Sequence, residues 1–378
     1  MRTPLLLPIL LLSFQLPAQT AKQKQAAGTN FNLLIGTYTH NGKSEGIYTY
    51  NFNTSTAVTT LKRETSQIEN PSFLTVSADK KFVYSVNESG AKSTISSFGF
   101  DAKTGALGFI NKQDSHGTDP CYITSDQTNV IVANYSGGSL AIFGRKADGS
   151  LSEAKQVIQH TGKSIDPKRQ TSAHVHQVQF SPDKKYLICN DLGEDQIYIY
   201  TYNPAEKNNI LAIKTVIKTD AGSGPRHLTF SPNGKFVYLA HEFTGSIIAY
   251  AYKDGNLTKI QQVSTVEEGF KGNIDGADIH ISADGKFLYE SNRGDANTIS
   301  VFAVHPAGTL SLVSRVNSLG KGPRNFAIDP SGKYLLVAHQ YTNNVVIFKR
   351  DIKTGVLKDS GKRIELNSPV CLVFTPVK

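Results

Sequence analysis

A chain of 378 residues has room for two or three ordinary domains, and 39% hydrophobic with 19% charged residues fits a globular protein with a sizeable core. Forty Lys and Arg against 31 Asp and Glu give a formal charge of +9. The cations are scattered, mostly in turns such as Asp79-Lys80-Lys81 and Asp183-Lys184-Lys185, with no run of five like charges, so the composition argues against a nucleic-acid partner.

The N-terminus reads as a secretory signal. Arg2 supplies the positive end, residues 5–12 the apolar run, and Pro17-Ala18-Gln19-Thr20-Ala21 a small-residue cleavage region. The apolar run is too short to span a bilayer and contains Pro8. The expected organisation is a signal peptide over 1–20, a flexible linker over 21–30 and one domain over 31–378. The mature chain should be periplasmic or secreted, with no membrane span.

Residues 31–38 and 46–52 read as strands, the first ending in Gly36-Thr37-Tyr38. A repeated phrase follows. PSFLTVSADKKFVYSVNE starts at Pro71, PCYITSDQTNVIVANYS at Pro120 and HVHQVQFSPDKKYLICNDL at His174. PRHLTFSPNGKFVYLAHE starts at Pro225, DGADIHISADGKFLYESNR at Asp275, PRNFAIDPSGKYLLVAHQ at Pro323, and the fragment SPVCLVF at Ser368. Pro71 and Pro120 lie 49 residues apart, Pro225 and Pro323 98, and Pro323 and Pro369 46. The longer step after Pro120 contains an insertion over 160–171. Each phrase is two strands around a turn such as Ser231-Pro232-Asn233-Gly234. A third alternating strand follows (GSIIAYAY, NTISVFAV), then a Gly- or Asn-bearing turn and a weaker fourth strand. Four strands at a period near 50 are the mark of propeller blades. The fold class is therefore all-β, a seven-bladed propeller. The C-terminal fragment supplies one strand of the last blade and the N-terminal strands the others, which closes the ring and covers two exposed edges.

Aligning the phrases on the residue before the second strand yields two columns. Nine positions earlier stand Ser72, His176, Arg226, Ala277 and Arg324, with Cys121 close by; seven positions later stand Glu88, Ser136, Leu192, Glu242, Arg293 and Gln340. Inner strands line the central channel, so both columns should crowd one mouth of it. A purely structural repeat would use similar residues in each blade; here the slots hold His, Arg and Glu in turn, which suits an asymmetric polar ligand. By strand parity His174 flanks this group, while His280 faces away and suits a blade-to-blade hydrogen bond. His241 and His339 suit contacts to turn backbone. Asp191 could hold a loop or orient an arginine. Cys121, Cys189 and Cys371 are an odd number beside apolar segments, read as buried thiols with no neighbouring base. No HExxH, CxxC, EF-hand loop, P-loop or Gly-x-Ser-x-Gly elbow occurs, so neither a metal nor another cofactor is expected.

The phrases SPDKKYL, GPRHLTFSPNGKFVYLAHE, SADGKFLYESNRG and GPRNFAIDPSGKYLLVAHQ resemble the lactonase family of seven-bladed propellers, which includes propeller-type 6-phosphogluconolactonases and fungal carboxymuconate cyclases. The similarity runs from about Phe31 to the end. It implies a site of one His, two Arg and one Glu, which fall at His176, Arg226, Arg293 and Glu242, all members of the two columns. It implies a small-molecule lactone as substrate and its hydrolysis, and the absence of a ligand cluster makes that hydrolysis metal-independent. Arg324, His174, Glu88 and Gln340 are the further candidates for substrate contact. A glutamate between two arginines should be a poor base, which favours His176 as general base. Lactone formation by a cyclase and ligand binding without turnover are the alternatives. Export departs from the cytosolic setting of phosphogluconolactonases and weighs against a phosphorylated lactone.

Overall fold

Each repeated phrase folds into two antiparallel strands because its turn is chemically closed. Ser231 Oγ donates to Asn233 Oδ1 (2.7 Å) and accepts the Phe236 N–H (2.9 Å). Ser77 with Asp79, Ser181 with Asp183 and Ser282 with Asp284 repeat the arrangement. In the sixth blade Asp329 takes the serine's place and accepts from Tyr334 N at 2.7 Å. The same turn needs one left-handed residue. Gly234, Gly285 and Gly332 fill it at φ 68°, 73° and 72°, and Lys80 and Lys184 at 61° and 57°.

The computed structural model describes residues 29–40 and 43–377; the expected signal peptide and most of the linker lie outside that range. Seven four-stranded antiparallel sheets form a ring. We number the blades 1 to 7 from the phrase at Pro71. Their inner strands are Leu74–Val76, Pro120–Ser125, Val175–Phe180, Pro225–Phe230, Gly276–Ile281, Pro323–Ile328 and Pro369–Pro376, and neighbouring inner strands touch around the channel. Blade 7 joins Pro369–Pro376 to the N-terminal strands Asn30–Thr37, Ile47–Asn53 and Thr59–Thr65, so the two ends of the chain share a sheet. The register runs from Phe31 opposite Pro376 to Thr37 opposite Pro369. Apolar side chains fill the space between blades: Ile188, Ile197 and Ile199 of blade 3 pack on Leu228, Val237 and Leu239 of blade 4. Among the described residues no helix is long and apolar enough to cross a membrane.

One irregularity recurs and positions the site. Pro225 pairs with His241 and His227 with Ala240, which leaves Arg226 as an extra residue in the ladder. The same bulge isolates Cys121, His176 and Arg324, and a longer one isolates Ala277 and Asp278. A bulge breaks strict alternation and re-aims a side chain. The variable column is thus the column of bulged residues.

The residues that follow the bulge tie blades together. Gln177 Oε1 accepts from Leu228 N of blade 4 at 2.7 Å, and Asn325 Oδ1 accepts from Leu372 N of blade 7 at 2.7 Å. His280 departs from the expected blade-to-blade bond: its Nε2 meets Asp278 of its own strand at 2.9 Å, and only its ring contacts blade 6, edge-on at Phe326. The bridge belongs to Asp278, which parity reasoning missed because the bulge shifts the alternation.

Candidate active site

Folding the hairpin 225–242 brings the ends of its two strands together, and Arg226 Nε donates to Glu242 Oε2 at 2.9 Å. Arg293, from the equivalent slot of blade 5, reaches the same oxygen through Nη2 at 3.0 Å. The other oxygen, Oε1, accepts from Arg169 Nη2 at 2.5 Å. One buried carboxylate is therefore shared by three guanidiniums. Burial pushes its pKa up, but Arg293, then Arg226 and Arg169, outweigh it and hold Glu242 down to about 2. Arg226, 1% exposed, also donates to the Ala277 carbonyl, and Arg293 meets Asp275 at 2.6 Å. These bonds fix the planes of both guanidiniums.

Glu242 and Arg293 line a cavity of about 190 Å³ at the channel mouth, together with Tyr38, Glu88, Cys121, Tyr135, Arg169, His176 and Arg324. His176 is buried (4% exposed). Burial first, then the charges of Arg226 and its neighbours, hold its pKa well below the ordinary 6.5, so the imidazole is neutral at physiological pH. Arg324 differs from the other three arginines. Its guanidinium lies over the Tyr38 ring, 5.5 Å from the centroid, and it makes none of the ion pairs found among the described residues. The nearby Glu88 accepts through Oε2 from Tyr38 Oη at 2.9 Å and Ser72 Oγ at 2.6 Å.

The structure thus brings His176, Glu242, Arg293, Arg324 and Glu88 to the lining of one cavity, with Arg226 behind them, bonded to Glu242 and lining a smaller adjoining pocket. It does not bring His174 and Gln340 into the cavity lining. His174 stacks flat on Tyr135 at 4.6 Å and bonds its carbonyl, so it backs the tyrosine that faces the cavity. Gln340 occupies the right slot, but its side-chain oxygen is buried without a protein partner. His241 and His339 are buried outside the lining, and desolvation pushes both down to about 4. Cys121 corrects the reading that no base stands near a thiol: His176 Nδ1 is 3.8 Å from Sγ. Burial nevertheless pushes that thiol up and away from the thiolate a nucleophile requires.

Arg169 was not among the residues read from the sequence. It comes from the insertion over 160–171, stacks on Phe243 and bonds Tyr135 Oη at 3.2 Å. The insertion itself was legible; where its tip would land was not. A buried network anchors it: His160 Nδ1 meets Asp191 Oδ2 at 2.7 Å, Glu194 Oε1 accepts from Gly162 N at 2.5 Å, and Gln170 Nε2 donates to the Leu192 carbonyl at 2.8 Å. Asp191 therefore holds a loop and orients no arginine. His160, Asp191 and Glu194 are the one group of potential metal ligands that converges among the described residues, within 4.8 Å of one another. His160 Nε2 also bonds Tyr200 Oη at 2.7 Å and Glu194 Oε2 accepts from Tyr198 Oη at 2.5 Å, so a metal there would have to displace this network.

The family described as "Lactonase, 7-bladed beta-propeller" matches residues 32–374. A 6-phosphogluconolactonase of Formosa agariphila is 38% identical over 351 residues, 91% of this chain and 99% of its own length. A 6-phosphogluconolactonase of Bacillus subtilis is 33% identical over 345 residues, 90% and 97% of the two chains. Among solved structures, a periplasmic gluconolactonase of Pseudomonas aeruginosa is 36% identical with a TM-score of 0.88, and the match covers 92% of this chain and all of that one.

Proposed function

The chain belongs to the lactonase family of seven-bladed β-propellers, and from that premise we propose that it hydrolyses a sugar-type lactone, using the cavity beside His176 and Glu242 and no metal. The observation that carries the reading is the division of labour among four cations. Three guanidiniums are held by Glu242, and a fourth, Arg324, lines the cavity and makes no ion pair among the described residues.

Water attack on a lactone carbonyl produces a tetrahedral oxyanion. Donors already fixed at that oxygen stabilise it without reorganising, by about 2.7–4 kcal/mol for one donor. Arg226 and Arg293, locked against Glu242, suit that role. Glu242, ionised and shared three ways, is a poor base and acts as the brace. His176 is neutral and therefore able to take a proton from the attacking water. An imidazolium beside so many cations is unfavourable in the free protein. The oxyanion that develops in the same cavity offsets that cost, so proton transfer and carbonyl attack favour one another. The ring oxygen then leaves with a proton returned by His176, giving the hydroxy acid.

Arg324 suits recognition of an anionic or electron-rich group on the lactone, for which a guanidinium offers a bidentate fork. The relatives' names point to gluconolactone chemistry, phosphorylated or not. Export, read from residues 1–20, favours the unphosphorylated form; N-terminal sequencing of protein from an outer compartment should then begin near residues 20–25.

The test is steady-state kinetics of the mature protein on gluconolactone, 6-phosphogluconolactone and muconolactone. Arg226→Ala and Arg293→Ala should each lower kcat by about 10²–10³, whereas Arg324→Ala should raise KM with kcat nearly unchanged. Exhaustive chelation should leave turnover intact. Wild-type kcat/KM in all of His176→Ala, Arg226→Ala, Glu242→Ala and Arg293→Ala would put the chemistry elsewhere. Affinity without turnover across the panel would identify a binding protein.

A further inference from the structure

Among the described residues His176 has no firm partner to orient it. Its Nδ1 has only the Cys121 thiol, at 3.8 Å, and that thiol also lies 3.3 Å from the His176 carbonyl. A base in nucleophilic or hydrolytic chemistry is ordinarily held by a third group that sets its tautomer. The candidate for that group is one blade away.

His227 follows the bulged Arg226 and, like it, reaches the channel. Its ring stands edge-on to that of His176, with centroids 5.0 Å apart. Its Nδ1 is 2.9 Å from Asp278 Oδ1. Asp278 is itself fixed on all sides: Oδ2 accepts from Asn325 Nδ2 at 2.6 Å, from His280 Nε2 at 2.9 Å and from Phe326 N at 3.3 Å, and Oδ1 accepts from Ile279 N at 3.0 Å. A carboxylate so placed accepts from Nδ1–H, which leaves the lone pair of His227 on Nε2. That atom is buried and finds no hydrogen-bond partner among the described residues.

His227 borders a small chamber below the main cavity, about 10 Å³ in volume. That is the room one water molecule requires. His176, Arg226, Arg324, Cys121 and Ser72 line it as well, so both polar partners and a connection to the cavity are present. A buried imidazole nitrogen left unpaired is destabilising, and the chamber beside it is polar.

We propose that this chamber is a built water site, in which a single water donates to Nε2 of His227 and orients His176 from behind, making Asp278 and His227 positioning residues for the general base. The chain runs Asp278, His227, water, His176. No bond is made or broken in it: the water keeps both its protons, one directed at His227, and accepts from the ring N–H of His176 that faces the chamber, which leaves the other His176 nitrogen unprotonated as the base. His176 then keeps one tautomer and one ring orientation through the reaction. The catalytic part of the inference rests on the lactonase reading; the water site does not.

Two measurements on the unliganded wild-type protein test the site whatever the protein's activity. A crystal structure that resolves ordered solvent should show a water within hydrogen-bonding distance of His227 Nε2. Imidazole ¹⁵N spectra should show His227 protonated on Nδ1 and not on Nε2. A dry chamber, or a His227 protonated on Nε2, would overturn the proposal. Kinetics then test the role. Asn places its amide where Nδ1 stood and removes the acceptor at Nε2, whereas Gln extends an acceptor toward the Nε2 position. His227→Asn should lower kcat about 10–100-fold, by analogy with the loss of outer partners of metal-bound histidines, with KM changed less than about threefold. His227→Gln should recover most of that loss. Equal activity in wild type, His227→Asn and His227→Gln would sink the positioning role. So would equal losses in both variants, which a merely structural histidine would give. If no lactone is turned over by the wild type, the lactonase reading fails, and the crystallographic and spectroscopic outcomes still decide the water site.

Discussion

At one end of each inner hairpin a Ser and an Asp or Asn close nearly the same turn in blade after blade, with hydrogen bonds of 2.6–2.7 Å in four of them. At the other end of the same two strands no such repetition exists: Cys121, His176, Arg226, Ala277 and Arg324 occupy one bulged slot, and Glu88, Leu192, Glu242, Arg293 and Gln340 occupy the slot facing it. The two ends carry different duties. The turn end has one task in each blade, reversing the chain, so one local solution serves everywhere. The mouth has one task for the whole ring, surrounding a single asymmetric ligand, so each blade contributes something different. Repetition marks what a blade needs by itself, and departure from repetition marks what the blades do together.

Removing residues 368–378 should break both ends at once. It takes the inner strand from blade 7 and exposes the edges of Asn30–Thr37 and of the neighbouring blades. The expected result is loss of soluble folded protein, seen as aggregation on expression; a truncated protein with an unchanged Tm would contradict closure by the terminal strands.

Substitutions at the two ends of a single hairpin sharpen the comparison. Glu242→Gln, at the mouth, removes the charge that three guanidiniums share. It should lower kcat/KM by about 10²–10³ through misplaced donors. Asn233→Ala, at the turn of the same hairpin, should leave kcat/KM within about twofold and lower stability by about 0.5–1.5 kcal/mol through a lost hydrogen bond. Comparable activity losses at both ends would erase the distinction.

The mouth should also set the pH dependence. A base whose pKa lies well below 6.5 in the folded protein stays unprotonated through neutral pH and loses function only as pH falls through that depressed value. The acid limb of kcat/KM should therefore lie well below pH 6.5, and His176→Ala should abolish it. A limb centred at 6.5 would mean that neither burial nor the surrounding guanidiniums lower the pKa of the base.

The smallest effect belongs to the turns. Lys184 holds at φ 57° the position that Gly234 and Gly285 fill in blades 4 and 5. A left-handed non-glycine residue costs about 1–2 kcal/mol, part of which glycine's greater unfolded-state freedom gives back. Lys184→Gly should stabilise by about 0.5–1 kcal/mol in denaturant titration and leave kinetics unchanged.

What the sequence determined by itself was whatever a blade-length segment can encode locally. Alternation, turn chemistry and the period near 50 specify four strands and their repeat, and the split of blade 7 between the two termini follows from counting. The two columns were legible because their composition breaks the repeat, which is how His176 and Arg226 in the bulged slot and Glu242 and Arg293 in the slot facing it stood out. Tertiary structure decided what depends on distance around the ring. Arg169 sits on an insertion whose path is fixed by His160, Asp191, Glu194 and Gln170, none of which signals a destination in sequence. Gln340 and His174 occupy slots that look right, yet their side chains do not reach the cavity. His227 follows the bulge of its strand and Asp278 lies within that of the next, so strand parity misplaces both, and only the folded ring brings them into contact. An alternation rule has a range of a few residues, whereas the site is an intersection of seven blades, so the positions that matter most are those where local regularity yields to packing around a common axis.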